Sequence, residues 1–295
     1  MTQTALILGA SGKIGRHFTN AFRAAGWQTR AYVRGTDMSA AARGCDVIVN
    51  GMNPPAYHDW QTILPQITAQ VIGAAKASGA TILFPGNVYV YGTQPGPWSA
   101  DTPHKPCSRK GTVRAAIEGQ YRAAAAKGVQ TILLRAGDFL APELGDSHVD
   151  MIYLRAYSKG VITTMGDPDV ERAHAWLPDM ARAAVMLAQK RADLPAFSDI
   201  PFPGLTFSTA QLARGLERLT GRNLTVKPFP WWLLGVAAPV WELAREMKEM
   251  RYLFNTPHRL SPEALAQILP DFQPAPFERV LAEILDQRTP RAAAA

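Results

Sequence analysis

Cysteine is nearly absent: Cys45 and Cys107 are the only two in 295 residues, and neither has a CxxC partner or a nearby histidine cluster. That pattern argues against a zinc site and a disulfide framework, so no metal is expected. Cys45 opens the apolar run CDVIVNG and reads as a core residue. Long hydrophobic runs are missing too. The most apolar stretch, WWLLGVAAPVW from Trp231 to Trp241, is too short to span a bilayer and contains Pro239. No basic leader stands before the first apolar strand, so a cytoplasmic protein without a membrane partner is expected. Internal repeats and Gly/Ser-rich linkers are also lacking. The net charge of +7 comes without a basic run interleaved with aromatics, so it reads as a solvated surface and no nucleic-acid partner is expected.

What is present is an ordinary globular composition, 47% hydrophobic and 19% charged. The first half alternates two patterns. TALILGA, QTRAYVRG, DVIVNG, ATILFPGN and VQTILLRAG read as strands. Between them lie helical stretches. In KIGRHFTNAFRAAG, Ile14, Phe18, Ala21, Phe22 and Ala25 repeat at three and four, and Gly26 supplies the stop. DMSAAARG is a short helix. The long helices Asp59–Ser78, interrupted or bent at Pro65, and Ser108–Lys127 follow. Strands separated by helices of this length pair in parallel through right-handed crossovers. The expected fold is therefore α/β, a Rossmann-like doubly wound parallel sheet with a smaller, mainly helical C-terminal substrate lobe. After Gly137 the rhythm breaks: DFLAPELGDSHVDM and TTMGDPDVERAHAW read as loops, and LPDMARAAVMLAQKR as a helix capped by Asp179. Residues 1–137 and 175–204 are expected to form a dinucleotide-binding core, and residues 138–174 and 205–295 a substrate-binding lobe.

The stretch GASGKIG places Gly9, Gly12 and Gly15 between a strand and a helix. The first glycine permits the tight turn, the second lets backbone approach a pyrophosphate, and the third allows close helix–strand packing. Ser11, Lys13 and Ile14 lie in the same turn, where the free N–H groups and dipole of a helix N-terminus face the phosphates. This spacing and wording resemble the extended and atypical short-chain dehydrogenase/reductases, the NAD(P)-binding epimerase/dehydratase group. In NAD-preferring members an acidic residue ends the second strand and holds the adenosine ribose. Here Val33 and Arg34 stand in its place, and a guanidinium can hold a 2′-phosphate through paired charge-assisted hydrogen bonds. The expected cofactor is thus NADP(H), with NAD(H) as the alternative; Lys13 and Arg16 add positive charge. Only GTDMSAAARGC separates Arg34 from Asp46, too short for the family's further helix and strand, so an edge strand is expected to be missing or vestigial. Asp37 is a candidate remnant of that segment. NGMNP, with Asn50 and Gly51, matches the family loop beneath the adenosine half of the cofactor.

The resemblance continues through FPGNVYVYG and DTPHKPCSRKGTVRAAIEG. The family's serine or threonine corresponds to Asn87, its catalytic tyrosine to Lys110 and its lysine to Arg114, with Glu118 retained. None of the eight tyrosines is followed by lysine at the fourth residue, so the Tyr–Lys pair is absent. Arginine carries no proton at working pH, and Asn87 donates hydrogen bonds without relaying protons. Lys110, one turn from Arg114, is the candidate acid or base, its pKa expected to be lowered by the neighbouring cation and burial. Tyr91, Tyr89 and His104 are further candidates; Arg135 and Asp138 either touch ligand or fix a loop. Trp231, Trp232 and Trp241 line a pocket, face a second subunit or form core.

The leading expectation is an NADP(H)-dependent oxidoreductase or epimerase-like enzyme acting on a small-molecule carbonyl or alcohol. An inactive NAD(P)-binding sensor or regulator and an NAD-dependent nucleotide-sugar epimerase stay open beside it. A homodimer through the two long helices is a family-level expectation.

Overall fold

The computed structural model describes residues 2–145 and 147–288. Nine elements alternate first: β1 (Thr4–Leu8), α1 (Lys13–Ala24), β2 (Gln28–Ala31), α2 (Met38–Ala42), β3 (Val47–Asn50), α3 (Trp60–Ser78), β4 (Thr81–Gly86), α4 (Arg109–Ala125) and β5 (Thr131–Arg135). Then come β6 (Asp138–Leu140), β7 (Val161–Thr164), β8 (Arg172–Trp176), α5 (Leu177–Gln189) and β9 (Phe197–Pro201). The main sheet runs β2-β1-β3-β4-β5-β9, every pair parallel. Successive strand residues face opposite sides of the sheet. Ala5 and Ile7 thus pack with Phe18 and Phe22 of α1 and with α5, while Leu6 and Leu8 pack with Leu64 and Val71 of α3 and Ile117 and Tyr121 of α4. This is a Rossmann-like fold with β2 at its edge. The segment after β2 is reduced to the five-residue α2, capped by Asp37, whose Oδ1 accepts the N–H groups of Ser39 at 2.9 Å and Ala40 at 3.2 Å.

Beyond the sheet, β10 (Leu205–Phe207), α6 (Thr209–Thr220), β11 (Thr225–Pro228), α7 (Trp231–Ala237), α8 (Glu242–Glu249), α9 (Glu263–Ile268) and α10 (Phe277–Asp286) follow. A separate core of Leu140, Tyr153, Ile162, Trp176, Phe207 and Leu281 holds much of this part together. Both stretches read as loops contain strands. β8 lies between β10 and β6, and β7 pairs with β11. RAHAW is buried throughout, so it lacks the alternation that marks a half-exposed strand.

Helix α3 runs through Pro65 without interruption. Proline's missing N–H costs one bond there, to the carbonyl four residues back. Asp179 is not the cap of α5; Trp176 holds that position. The Asp179 carboxylate instead accepts from Ala275 N–H at 2.6 Å and Arg182 at 2.8 Å, tying α5 to the segment before α10. Trp231 is half-buried and donates from Nε1 to the Met165 carbonyl at 2.7 Å, whereas Trp232 and Trp241 are exposed.

Candidate active site

The chain leaves β1 to one side for β2 and returns on the other side for β3, so the sheet's switch point lies at the C-terminal ends of β1 and β3. Ligands of open α/β sheets bind at such crevices. The glycine loop sits there. Gly9 has φ +74°, and a Cβ on it would stand 2.8 Å from the Gly51 carbonyl oxygen; a Cβ on Gly15 would stand 2.1 Å from the Gly9 oxygen. The loop is thus closed against both α1 and the β3 exit. Gly12 caps α1 without a side chain and no acid occupies the first turn, which leaves a positive helix end. Arg16 donates to the Ser11 carbonyl at 2.7 Å, and Ile14 packs against the core. Lys13 reaches away from the loop to within 3.8 Å of Asp150. Asn50 turns inward: its Nδ2 donates to the Tyr121 hydroxyl at 2.9 Å, leaving the Gly51 backbone as the part of NGMNP that meets the glycine loop.

Beside this cradle opens a cavity of about 750 Å3. Met52, Ile63 and Ile67 give it apolar walls, and Arg34 and Asp37 stand at its polar side. The turn bearing Arg34 is fixed by Tyr32, whose hydroxyl donates to the Thr36 carbonyl at 2.8 Å, and by Thr36 Oγ1, which donates to Val33 at 2.7 Å. Asp37's cap bonds engage one carboxylate oxygen, so Arg34 is the group at the strand end with no such commitment to a helix cap. An adenosine with a phosphate on its ribose fits these features.

The four residues expected to do chemistry do not converge. Arg114 is buried and turns toward the loop after β3. It donates to Asn53 Oδ1 at 2.9 Å, lies 4.6 Å from the Trp60 ring centre, and is pulled down from its usual pKa by burial. Its Nε and the Trp60 Nε1 are buried without hydrogen-bond partners, so an oxygen-rich ligand would satisfy donors that the protein leaves open. Lys110 departs from expectation. Its ammonium does not face Arg114 but forms ion pairs with Glu246 and with Glu249, the latter at 2.7 Å, and its side chain is 3% exposed. Helix α8 carries both glutamates and so closes over Lys110. Asn87 Oδ1 accepts the Tyr89 N–H at 3.1 Å, binding its own turn. Tyr91 is fully buried, and its hydroxyl donates to the Ser99 carbonyl at 3.1 Å, away from the cleft.

Two other tyrosines lie close by. Tyr57 and Tyr89 both lie against the Trp60 ring, with ring centres 5.1 and 6.4 Å from it, and desolvation pushes both phenols up, Tyr89 strongly, against the lowering pull of Arg114. Tyr57 holds φ +63°, a backbone region that non-glycine residues seldom adopt and that strained functional sites often contain. Its ring lies 5.0 Å from Lys110 Nζ.

Glu118 does not pair with Arg114. The fully buried Arg135 takes it, at 2.7 Å, together with Asp199 at 2.5 Å, and also donates to the Asn87 carbonyl at 2.6 Å. This network fixes the end of β4. His104, Glu118 and Asp199 bring possible ligand atoms within 4.8 Å of one another, but the guanidinium already occupies both carboxylates. Burial lowers His104 despite the nearby Glu118. Sequence reasoning missed Arg172. It pairs with Asp138 and donates to the Tyr153 hydroxyl at 2.5 Å. Burial alone would raise Asp138; Arg172 and His148 overcome it and hold the carboxyl well below the usual range. The one available signal was an arginine heading RAHAW, whose remaining residues are apolar except His174.

Residues 62–200 match the NAD dependent epimerase/dehydratase family. No curated protein matches the chain. Among solved structures, MoeE5 in complex with UDP-glucose and NAD superposes with a TM-score of 0.76 at 16% identity, covering 97% of this chain and 98% of that one. L-threonine dehydrogenase from Phytophthora infestans gives 0.72 at 16% identity, over 98% and 100%. RMD from Pseudomonas aeruginosa complexed with NADPH gives 0.71 at 17% identity, over 97% of each chain. At such identities these likenesses establish the fold.

Proposed function

We propose that this chain, which carries an NAD-dependent epimerase/dehydratase family domain across residues 62–200, is an NADP(H)-dependent oxidoreductase or epimerase-like enzyme acting on a small-molecule carbonyl or alcohol. The observation that carries the cofactor choice is Arg34 at the polar side of the adenosine-sized cavity. NAD(H) would fit the same glycine cradle but leave that guanidinium without a phosphate. Similar folds crystallised with NAD and with NADPH support a nicotinamide dinucleotide in the cleft.

When bound, the nicotinamide would supply or accept hydride. Gly9, Gly12, Ser11, Lys13, Ile14 and Gly15 would hold the pyrophosphate, with Gly51 and Arg34 on the adenosine side. Arg114 would hold ribose oxygen through its open Nε and orient the substrate-side ring. The proton falls to Tyr57 or Tyr89: both phenols flank the Trp60 ring and are kept protonated by burial, so one can donate to an oxygen that gains electrons. Lys110, neutralised by Glu246 and Glu249, would position α8 over the site rather than carry protons.

The test is NADPH oxidation against a panel of aldehydes and ketones. Tyr89→Phe lowers kcat by about 100-fold or more with NADPH affinity unchanged, the usual reach of a general acid. Lys110→Met changes KM more than kcat. The ion-paired Lys110 favours one other reading, a cofactor-binding regulator without turnover. NADPH binding with no oxidation of any substrate, in wild type and Tyr89→Phe alike, would select it.

A further inference from the structure

The stretch from Trp231 to Trp241, which sequence reading left between pocket, subunit contact and core, is the most exposed apolar part of the described surface. Trp232 is 69% exposed, Val236 75%, Val240 90% and Trp241 48%. Such values mean that side chains project from the body. The tip is the short turn Ala238–Pro239–Val240 between α7 and α8. At its foot an open groove of about 580 Å3, lined by Phe229, Trp231, Trp232 and Arg251, continues the apolar surface inward.

The charges around it are sorted. Glu246 and Glu249 turn inward onto Arg109 and Lys110, and Glu242 pairs with His58 at 3.1 Å. At 100° per residue, Trp241, Arg245 and Lys248 share a face turned about 100° from that of the three glutamates. Arg245 donates to the Ala238 carbonyl at 3.0 Å, so its guanidinium sits at the base of the tip. Lys227 and Arg251 are exposed on the flanking segments. Between residues 227 and 251 the exposed cations Lys227, Arg245, Lys248 and Arg251 outnumber the one exposed acid, Glu242.

We propose that the α7–α8 tip docks the protein onto an anionic lipid bilayer. Trp232, Val236, Val240 and Trp241 would enter the interfacial layer, and Lys227, Arg245, Lys248 and Arg251 would meet acidic headgroups. Tryptophan favours this layer, basic residues rimming an apolar face are attracted to acidic lipid, and their long stems can lie along acyl chains. No helix among the described residues is long and apolar enough to cross a membrane, so the contact is peripheral. A second copy of this chain is the poorer occupant: a two-fold contact pairs a patch with itself, setting this net positive rim against an identical rim.

The experiment is sedimentation of the full-length protein with phosphatidylcholine vesicles and with vesicles containing phosphatidylglycerol, at low and physiological salt. The wild type is expected to bind the anionic vesicles, less at higher salt. Val240→Asp abolishes binding. Arg245→Glu with Lys248→Glu lowers the partition on the order of tenfold or more, since each basic residue near such a surface contributes several-fold. These positions are exposed, and unchanged circular dichroism confirms the fold. Absence of wild-type binding to anionic vesicles overturns the proposal. So does a concentration-dependent dimer that Val240→Asp dissociates while vesicles capture nothing. None of these outcomes bears on the cofactor reading.

Discussion

Replacing Arg135 with methionine should destabilise the protein more than any surface change. The guanidinium is fully buried and contacts two carboxylates, Glu118 at 2.7 Å and Asp199 at 2.5 Å, as well as the Asn87 carbonyl at 2.6 Å. Methionine keeps most of the volume and removes the only cation between two buried acids. Breaking a buried ion pair from one side costs about 3–5 kcal/mol, because the partner is left charged and desolvated. Two acids share this cation, so the upper part of that range applies. Neutralising all three members is different. In Arg135→Met/Glu118→Gln/Asp199→Asn no stranded charge remains, and buried networks replaced as a whole often lose little. Urea unfolding at pH 7.5, read by tryptophan fluorescence with the slope held common, measures both variants. The triple variant should recover at least half of the loss. A loss below about 1 kcal/mol in Arg135→Met, or a triple variant at least as unstable as the single one, would refute the reasoning.

Three further outcomes follow from the same geometry. Gly15→Ala forces a methyl onto the Gly9 carbonyl, 2.1 Å away, and should abolish dinucleotide binding in a fluorescence titration. Ser108→Ala removes the α4 cap, whose hydroxyl accepts the Gly111 N–H at 3.0 Å, at a cost of about 1 kcal/mol in urea unfolding. His174 and His258 are buried and held neutral by desolvation, with pKa values lowered to about 3 and about 4. The unfolded chain therefore binds more protons below about pH 6.5, and stability present at neutral pH is lost as pH falls toward those values. In His174→Phe the stability–pH slope between pH 6 and 5 should be shallower by up to about 1.4 kcal/mol per pH unit; an unchanged slope would contradict the assignment.

The parts legible in the sequence are those fixed by local pattern. GASGKIG marks its own strand, turn and helix within seven residues, and Arg34 needs only the end of β2 to be located. The short span between Arg34 and Asp46 likewise foretold the reduced α2 and the edge position of β2. What stayed hidden depends on distant partners. Lys110 is neutralised by glutamates 136 and 139 residues away, which no spacing rule near SRKGTVR reveals. Tyr91 was a candidate because it ends the family-like stretch FPGNVYVYG, but Tyr89–Tyr91 forms a 3-10 turn and the Tyr91 ring lies in the core. Strands β7 and β8 are defined by pairing with β11 and β10, well downstream, and too short or too buried to alternate visibly.

The most direct test of the account is the affinity for NADPH and NADH, titrated by fluorescence on the wild type and on Arg34→Ala. Charge-assisted hydrogen bonds from a guanidinium to phosphate contribute about 1.5–3 kcal/mol, so the wild type should prefer NADPH by roughly 10- to 150-fold. Arg34→Ala should erase that preference and leave NADH affinity unchanged. Equal affinities in the wild type, or a preference that survives in Arg34→Ala, would contradict the assignment of the adenosine cavity. Failure to bind either dinucleotide would contradict the cofactor reading altogether.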